Sequence, residues 1–263
     1  MRTLNIVKQN SLAWDKKVEE AAVYTKAVSR EMIEKSRAGD WEITVTTGKP
    51  VPRNWFPVSL KGLKVLCLAS GGGQQGPLLA AAGADVTVVD ISKKQLEQDE
   101  FVAKRDGLML KTRLADMTDL SCFEDSQFDI IVHPVANLFV EEISKVWNEA
   151  SRVLKKNGIL ISGFTNPLLF IFDDEEDMKG NLIVKNSIPS SSLDNLTDEQ
   201  IATYLNSDRT IEFGHTLEDQ IQGQIEAGFV ITGFYEDDFG GRRPLDEYIK
   251  CFIATRAVKL SID

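Results

Sequence analysis

Residues 65–90 read VLCLASGGGQQGPLLAAAGADVTVVD. An apolar run stops at four glycines (Gly71, Gly72, Gly73, Gly76), a helix-like segment follows, and a second apolar run ends in an acid, Asp90. Gly71-x-Gly73-x-x-Gly76 has the spacing of a dinucleotide fingerprint, and Asp90 lies near the distance at which an acid holds a ribose. Such a turn lets backbone approach a ligand without an obstructing Cβ and aims free N–H groups at it. Any nucleoside-bearing cofactor can use this arrangement, so the glycines alone do not choose between cofactors.

From here a regular alternation runs outward. LKVLCLA (63–69) and DVTVVD (85–90) are near-continuous apolar runs, as in strands buried on both faces. A helix is expected after Gly76, with Pro77 at its first position and Gly83 just past its end. Ser92-x-x-Gln95 predicts a capping box opening a helix to about Asp106. LMLKTRLAD (108–116), FDIIVHP (128–134) and ILISGF (159–164) supply three more strands. Between the last two, apolar residues from Phe139 to Leu154 follow helical spacing, and Asn157-Gly158 is expected to end that helix. TLEDQIQGQIEAGF (216–229) is a further helix with Thr216 as N-cap. VITGFY and YIKCFIATRAV then close the chain as an antiparallel pair, joined by a turn too short for a helix. The expected fold is α/β, doubly wound, with a mostly parallel seven-stranded Rossmann-like sheet and an antiparallel terminal strand.

Two segments lie outside the alternation. Residues 1–57 form an N-terminal helical extension or lid: amphipathic helix over 11–38, then a proline-punctuated connector around Trp55 and Phe56. Residues 165–210 form an inserted cap within a main domain of 58–263. The acidic run Asp173–Asp177 reads as a solvated loop, with a site for a cationic acceptor as the sharper alternative.

Bulk properties exclude some roles. A net charge of -10 works against nucleic-acid binding, which needs clustered Lys and Arg. Cys67, Cys122 and Cys251 are odd in number and unpaired in spacing, which points to a reducing compartment and to no metal site. No membrane span and no secretory leader is legible, so the expectation is a cytoplasmic protein with no membrane partner.

Three features narrow the cofactor. Asp116, in ADM at 115–117, puts a second acid beside Asp90. The chain ends in a helix and a strand pair, whereas a dinucleotide enzyme continues into a second mononucleotide half. The fourth strand breaks at His133-Pro134. With SRVLKKNGILISGF (151–164), this portion of the chain resembles a class I S-adenosylmethionine-dependent methyltransferase. The pairing of WFP…LKGLKVLCLASGGGQQGP with HTLEDQIQGQIEAGFVITGFYED resembles a bacterial subgroup of methyltransferase-domain proteins.

The resemblance implies S-adenosylmethionine as cofactor and methyl transfer to a small-molecule acceptor by in-line displacement. It implies Ala69, Ser70, Gly71 and Gly73 along the methionine and ribose, with Gln74 and Gln75 adjacent. Asp90 would take the ribose hydroxyls, Ile91 would pack on adenine, and Asp116 with Met117 would hold the adenine edge. His133, Pro134 and Val135 would sit beside the sulfonium. The sequence departs from the family in placing Cys67 where an acid is common and Ala69 where a glycine is common. The Asn/Asp-Pro-Pro-aromatic run of nucleobase and glutamine methylators is absent, as HPVA stands in its place.

His133 reads either as general base or cofactor wall, or as a hydrogen-bonded residue at a strand end. His215 reads as helix capping or acceptor contact. Trp14, Tyr24, Trp41, Trp55 and Phe56 line an acceptor pocket or pack in the core, with Trp55-Phe56 the best lid candidate. Two other classes remain open at this point: an NAD(P)-dependent oxidoreductase and a catalytically silent cofactor-binding protein.

Overall fold

The structure is a computed structural model describing residues 5–260; the outer ends of the two expected segments (1–4 and 261–263) lie outside the described residues. Seven strands form one sheet: β1 Lys64–Leu68, β2 Asp85–Asp90, β3 Leu110–Leu114, β4 Phe128–His133, β5 Leu154–Thr165, β6 Phe229–Asp237 and β7 Phe252–Lys259. Their spatial order is β3-β2-β1-β4-β5-β7-β6. The first five pair in parallel, and β7 runs antiparallel to both neighbours.

Alternate residues of the apolar runs face two separate cores. Val65, Cys67, Val86, Val88, Ile130 and Val132 pack on one side with Leu79, Leu96 and Val102. Leu66, Leu68, Val89 and Ile131 pack on the other with Val146, Trp147 and Val153. Burial on both faces is why these strands show no polar alternation. Helices α3 Gln75–Ala81, α4 Lys93–Asp106, α5 Ile143–Val153 and α7 Leu217–Glu226 cover the sheet, α1 Ile6–Glu19 and α2 Arg30–Arg37 pack outside α4 and α3, and α6 Asp198–Leu205 lies in the insert. Among the described residues no helix is long and apolar enough to cross a membrane.

Several expected boundaries shift. Helix α3 opens at Gln75, so Pro77 is its third residue rather than its first. Helix α5 ends at Val153, and Asn157, with φ +61°, bends the chain inside the extended segment that becomes β5. The N-terminal helices begin at Ile6 and are broken between Glu20 and Ser29, where Ala21 adopts φ +52°. The insert holds two single helical turns, α6, and residues 190–191 paired with 213–214. Its acidic run is not a free solvated loop: Asp177 is wholly buried and, with Asp174, holds the Arg243 guanidinium.

The strand order reverses between β1 and β4: from β1 the sheet builds outward through β2 and β3, and from β4 to the other side through β5. An open sheet keeps its ligands in the crevice at the carboxyl ends of such strands.

Candidate cofactor and acceptor site

That crevice is a cavity of about 530 Å³. It is lined by Ala69, Ser70, Gly71, Gln74, Gln75, Asp90, Ile91, Asp116, Met117, Pro134 and Val135. Residues far apart in sequence thus meet on one wall, because β1, β2 and β4 end side by side.

The glycine turn is built by close approach. A Cβ on Gly71 would lie 2.6 Å from Gln95 Cβ, and one on Gly76 would lie 2.6 Å from Val88 Cγ2. Gly73 has φ +71°, and its absent Cβ would meet Gln98 O at 2.9 Å; it shapes the turn without lining the cavity. Ala69 carries φ +49°, a left-handed conformation that favours glycine.

Two acids hold the turn. Asp90 Oδ2 accepts the Gly71 N–H at 2.9 Å, and its Oδ1 accepts the Ser92 N–H at 2.9 Å. Asp99 Oδ2, from α4, accepts the Gly72 N–H at 3.1 Å. Burial pushes the Asp90 carboxyl up to about 6, against the two amide hydrogen bonds that favour the anion. The turn therefore presents the Asp90 carboxylate to the cavity where a pyrophosphate site offers free amides. Two phosphates placed here would meet like charge. A neutral ribose and a cationic sulfonium would not.

The comparisons agree with this chemistry. Residues 66–162 match the family described as "Methyltransferase domain". A Bacillus subtilis protein, "Uncharacterized methyltransferase YbaJ", is 57% identical over 97% of this chain and 99% of its own length. This chain belongs to the methyltransferase-domain family. A Pelagibacter ubique ubiquinone biosynthesis O-methyltransferase is 33% identical over 42% of the chain and 45% of its own length. Among solved structures, a putative S-adenosylmethionine-dependent methyltransferase from Listeria monocytogenes aligns with TM-score 0.61 at 18% identity, covering 80% of this chain and 95% of that one. One from Mesorhizobium loti aligns with TM-score 0.59 at 16% identity, covering 78% and 94%. These two establish likeness of fold.

As well as the strand-end residues, the cavity of this methyltransferase has an aromatic lobe. Trp14, Tyr24, Phe139, Phe239 and Phe252, with Leu169, line that lobe, and Lys17, Glu212, Arg242 and Arg243 are charged groups beside them. Of these, only Trp14 and Tyr24 were legible as candidates from sequence. Glu212 follows the irregular insert and Phe239 lies in the closing turn, where no periodicity marks a face, and Phe252 opens β7 against Phe239. The N-terminal helices form one wall. Asp15 Oδ1 accepts the Ser92 hydroxyl at 2.6 Å and the Lys94 N–H at 3.1 Å, so a carboxylate from α1 caps the start of α4. Ser11 Oγ donates to Ile91 O at 2.8 Å, and Gln74 and Gln75 donate to Lys26 O and Thr44 O.

Besides Gly73, four expected site residues lie outside the cavity lining. His133 is wholly buried: its Nδ1 lies 3.0 Å from Leu68 O and its Nε2 2.8 Å from the Asn137 side-chain amide. Burial pushes its pKa down, and the ring ties β4 to β1 instead of facing the cavity. His215 Nε2 lies 3.1 Å from Asn137 O and 2.9 Å from Val140 O, a structural tie below the lobe. Trp55 and Phe56 are core residues rather than a lid. Trp55 packs on Tyr235 at 5.3 Å between ring centroids, Phe56 meets Trp41 edge-on at 5.1 Å, and the connector carrying them crosses the sheet. Two large aromatic side chains gain more by leaving water there than by roofing an open site.

Proposed function

We propose that the chain transfers the methyl group of S-adenosylmethionine to a small-molecule acceptor seated in the aromatic lobe. The observation that carries this reading is continuity: one cavity is lined by the strand-end residues, by Pro134 and Val135, and by the aromatic lobe. Asp90 accepts the ribose hydroxyls, Ile91 and Met117 flank adenine, and Asp116 takes the adenine edge. Ala69, Ser70, Gly71 and Gln75 run along the methionine, with the sulfonium toward Pro134 and Val135.

Methyl transfer is a displacement with nucleophile, methyl carbon and sulfur in line. Holding both partners in that geometry supplies up to roughly 7–11 kcal/mol in well-oriented systems. A base is needed only for an acceptor that loses a proton. With both histidines tied up, Glu212 is the group for that role. It lines the lobe, its Oε1 accepts the Thr210 hydroxyl at 2.8 Å, and burial pushes its carboxyl above the usual range. The net charge of -10 supports an acceptor that is not a nucleic acid, and three free cysteines support a reducing, cytoplasmic setting.

The test is to incubate the protein with methyl-labelled S-adenosylmethionine and a Bacillus subtilis extract. Label entering the dialysable fraction supports the reading. Label confined to protein or RNA overturns the small-molecule acceptor.

A further inference from the structure

Helix α4 underlies the glycine turn with one face, on which Gln95 and Asp99 sit one turn apart. Asp99 is wholly buried there, among positions that otherwise carry Leu96 and Val102. Its Oδ2 holds the Gly72 N–H at 3.1 Å, and the Gly73 N–H also turns toward it. Its Oδ1 has no hydrogen-bond partner, nor does Gln95 Oε1. The titratable groups that face it are Asp90 from β2 and the Cys67 thiol from β1. No Lys, Arg or His forms an ion pair with it among the described residues.

A buried acid with no cation and one unpartnered oxygen costs stability, and an apolar residue of the same shape would serve the core better. Of the two amides that turn toward it, the Gly72 N–H also lies 3.0 Å from Gln95 O, so the fold keeps an acceptor for that one without Asp99. What Asp99 does fix is the turn. Gly72 at φ +117° and Gly73 at φ +71° place Gly71 against Asp90. Gly76 leaves room for the arrangement, since a Cβ there would approach Asp99 Oδ1 to 3.1 Å.

We propose that Asp99 is a positioning residue for the cofactor: from beneath the turn it sets the path of Gly71–Gly73 along which the cofactor lies, without touching the cofactor itself. This rests on the cofactor site described above. Burial pushes the Asp99 carboxyl up to about 8, so it is a neutral acid at neutral pH. An acid whose pKa is raised on folding makes stability fall as pH rises from the ordinary carboxylate range to the raised value. Asp99 therefore lowers stability with rising pH up to about 8, and a variant without the acid lacks that slope.

The experiment compares the full chain with Asp99→Leu and Asp99→Asn, measuring melting temperature across pH and S-adenosylhomocysteine affinity by calorimetry. Asp99→Leu is expected to melt at or above wild type and to bind about tenfold or more weakly. Asp99→Asn, which keeps an acceptor for the Gly72 N–H, restores most of that affinity, and its melting temperature loses the slope toward high pH. A residue serving only the fold would lose stability and affinity together. Leucine binding like wild type, or asparagine failing as badly as leucine, overturns the proposal. If the leucine variant does not fold, the Gly72 and Gly73 amide resonances of wild type decide. They must titrate with a midpoint above the ordinary carboxylate range, and amides blind to pH overturn it. A wild-type chain that binds no S-adenosylhomocysteine counts against the cofactor site, and the amide titration still tests Asp99.

Discussion

Replacing Asp90 by asparagine separates what this carboxylate does for the cofactor from what it does for the fold. Its pKa rises from 3.8 to about 6, a cost of about 3 kcal/mol for the buried anion if taken at face value. The carboxylate faces the open cavity, so screening reduces this to about 1–2 kcal/mol. Asparagine recovers that amount. It also has only one acceptor for two amides, Gly71 N–H and Ser92 N–H, and leaving one unsatisfied costs about 1–3 kcal/mol. The two terms nearly cancel, so the unliganded protein should melt within a few degrees of wild type. Affinity should not survive, because hydrogen bonds from ribose hydroxyls to a charged acceptor are worth about 1.5–3 kcal/mol each. The expected loss is on the order of 10- to 100-fold for S-adenosylhomocysteine. Calorimetric titration beside a melting curve reads both numbers. The wild-type affinity should also weaken as pH drops through about 6, where Asp90 takes up a proton, and the variant should lack this limb. A folded variant that binds within threefold of wild type would refute the reasoning.

Trp55→Ala should cost about 3–5 kcal/mol of stability and leave cofactor affinity unchanged, because the ring fills core against Gly233 and Tyr235; denaturant titration with calorimetry checks it. His133→Ala should destabilise by about 1–3 kcal/mol by stranding buried polar partners. Turnover by wild type should show no dependence on an imidazole near its ordinary pKa, and such a dependence, abolished in the variant, would restore the ring as a base. Ala69→Gly should stabilise by roughly 0.5–1 kcal/mol, as relief of about 1–2 kcal/mol of left-handed strain outweighs glycine's extra entropy in the unfolded chain. A lower denaturation midpoint would contradict it.

The central parallel strands were legible because strands buried on both faces are written as near-continuous apolar runs, and the strand-end lining of the crevice because glycines and strand-end acids are sequence-local signals. The tip of each strand told where a ligand wall would be. What Trp55, Phe56, His133 and His215 would face was not legible, since an aromatic or imidazole near a strand end has the same local pattern whether it looks into a cleft or a core. The connector that buries Trp55 does so through contacts with β6 and β7, far along the chain. Asp99 was hidden for a related reason: on a helix it reads as one more polar residue, and only the fold of the glycine turn onto α4 puts it under Gly72. Glu212 and Arg242 lie in segments without periodicity, so nothing marked their direction.

The most direct measurement is a crystal structure of the full chain grown with S-adenosylhomocysteine. The account predicts both ribose hydroxyls on the Asp90 carboxylate, adenine between Ile91 and Met117 with its edge toward Asp116, and the sulfur facing Pro134 and Val135 with the aromatic lobe open beyond it. A ligand whose ribose lies away from Asp90, or whose sulfur points away from that lobe, would contradict it.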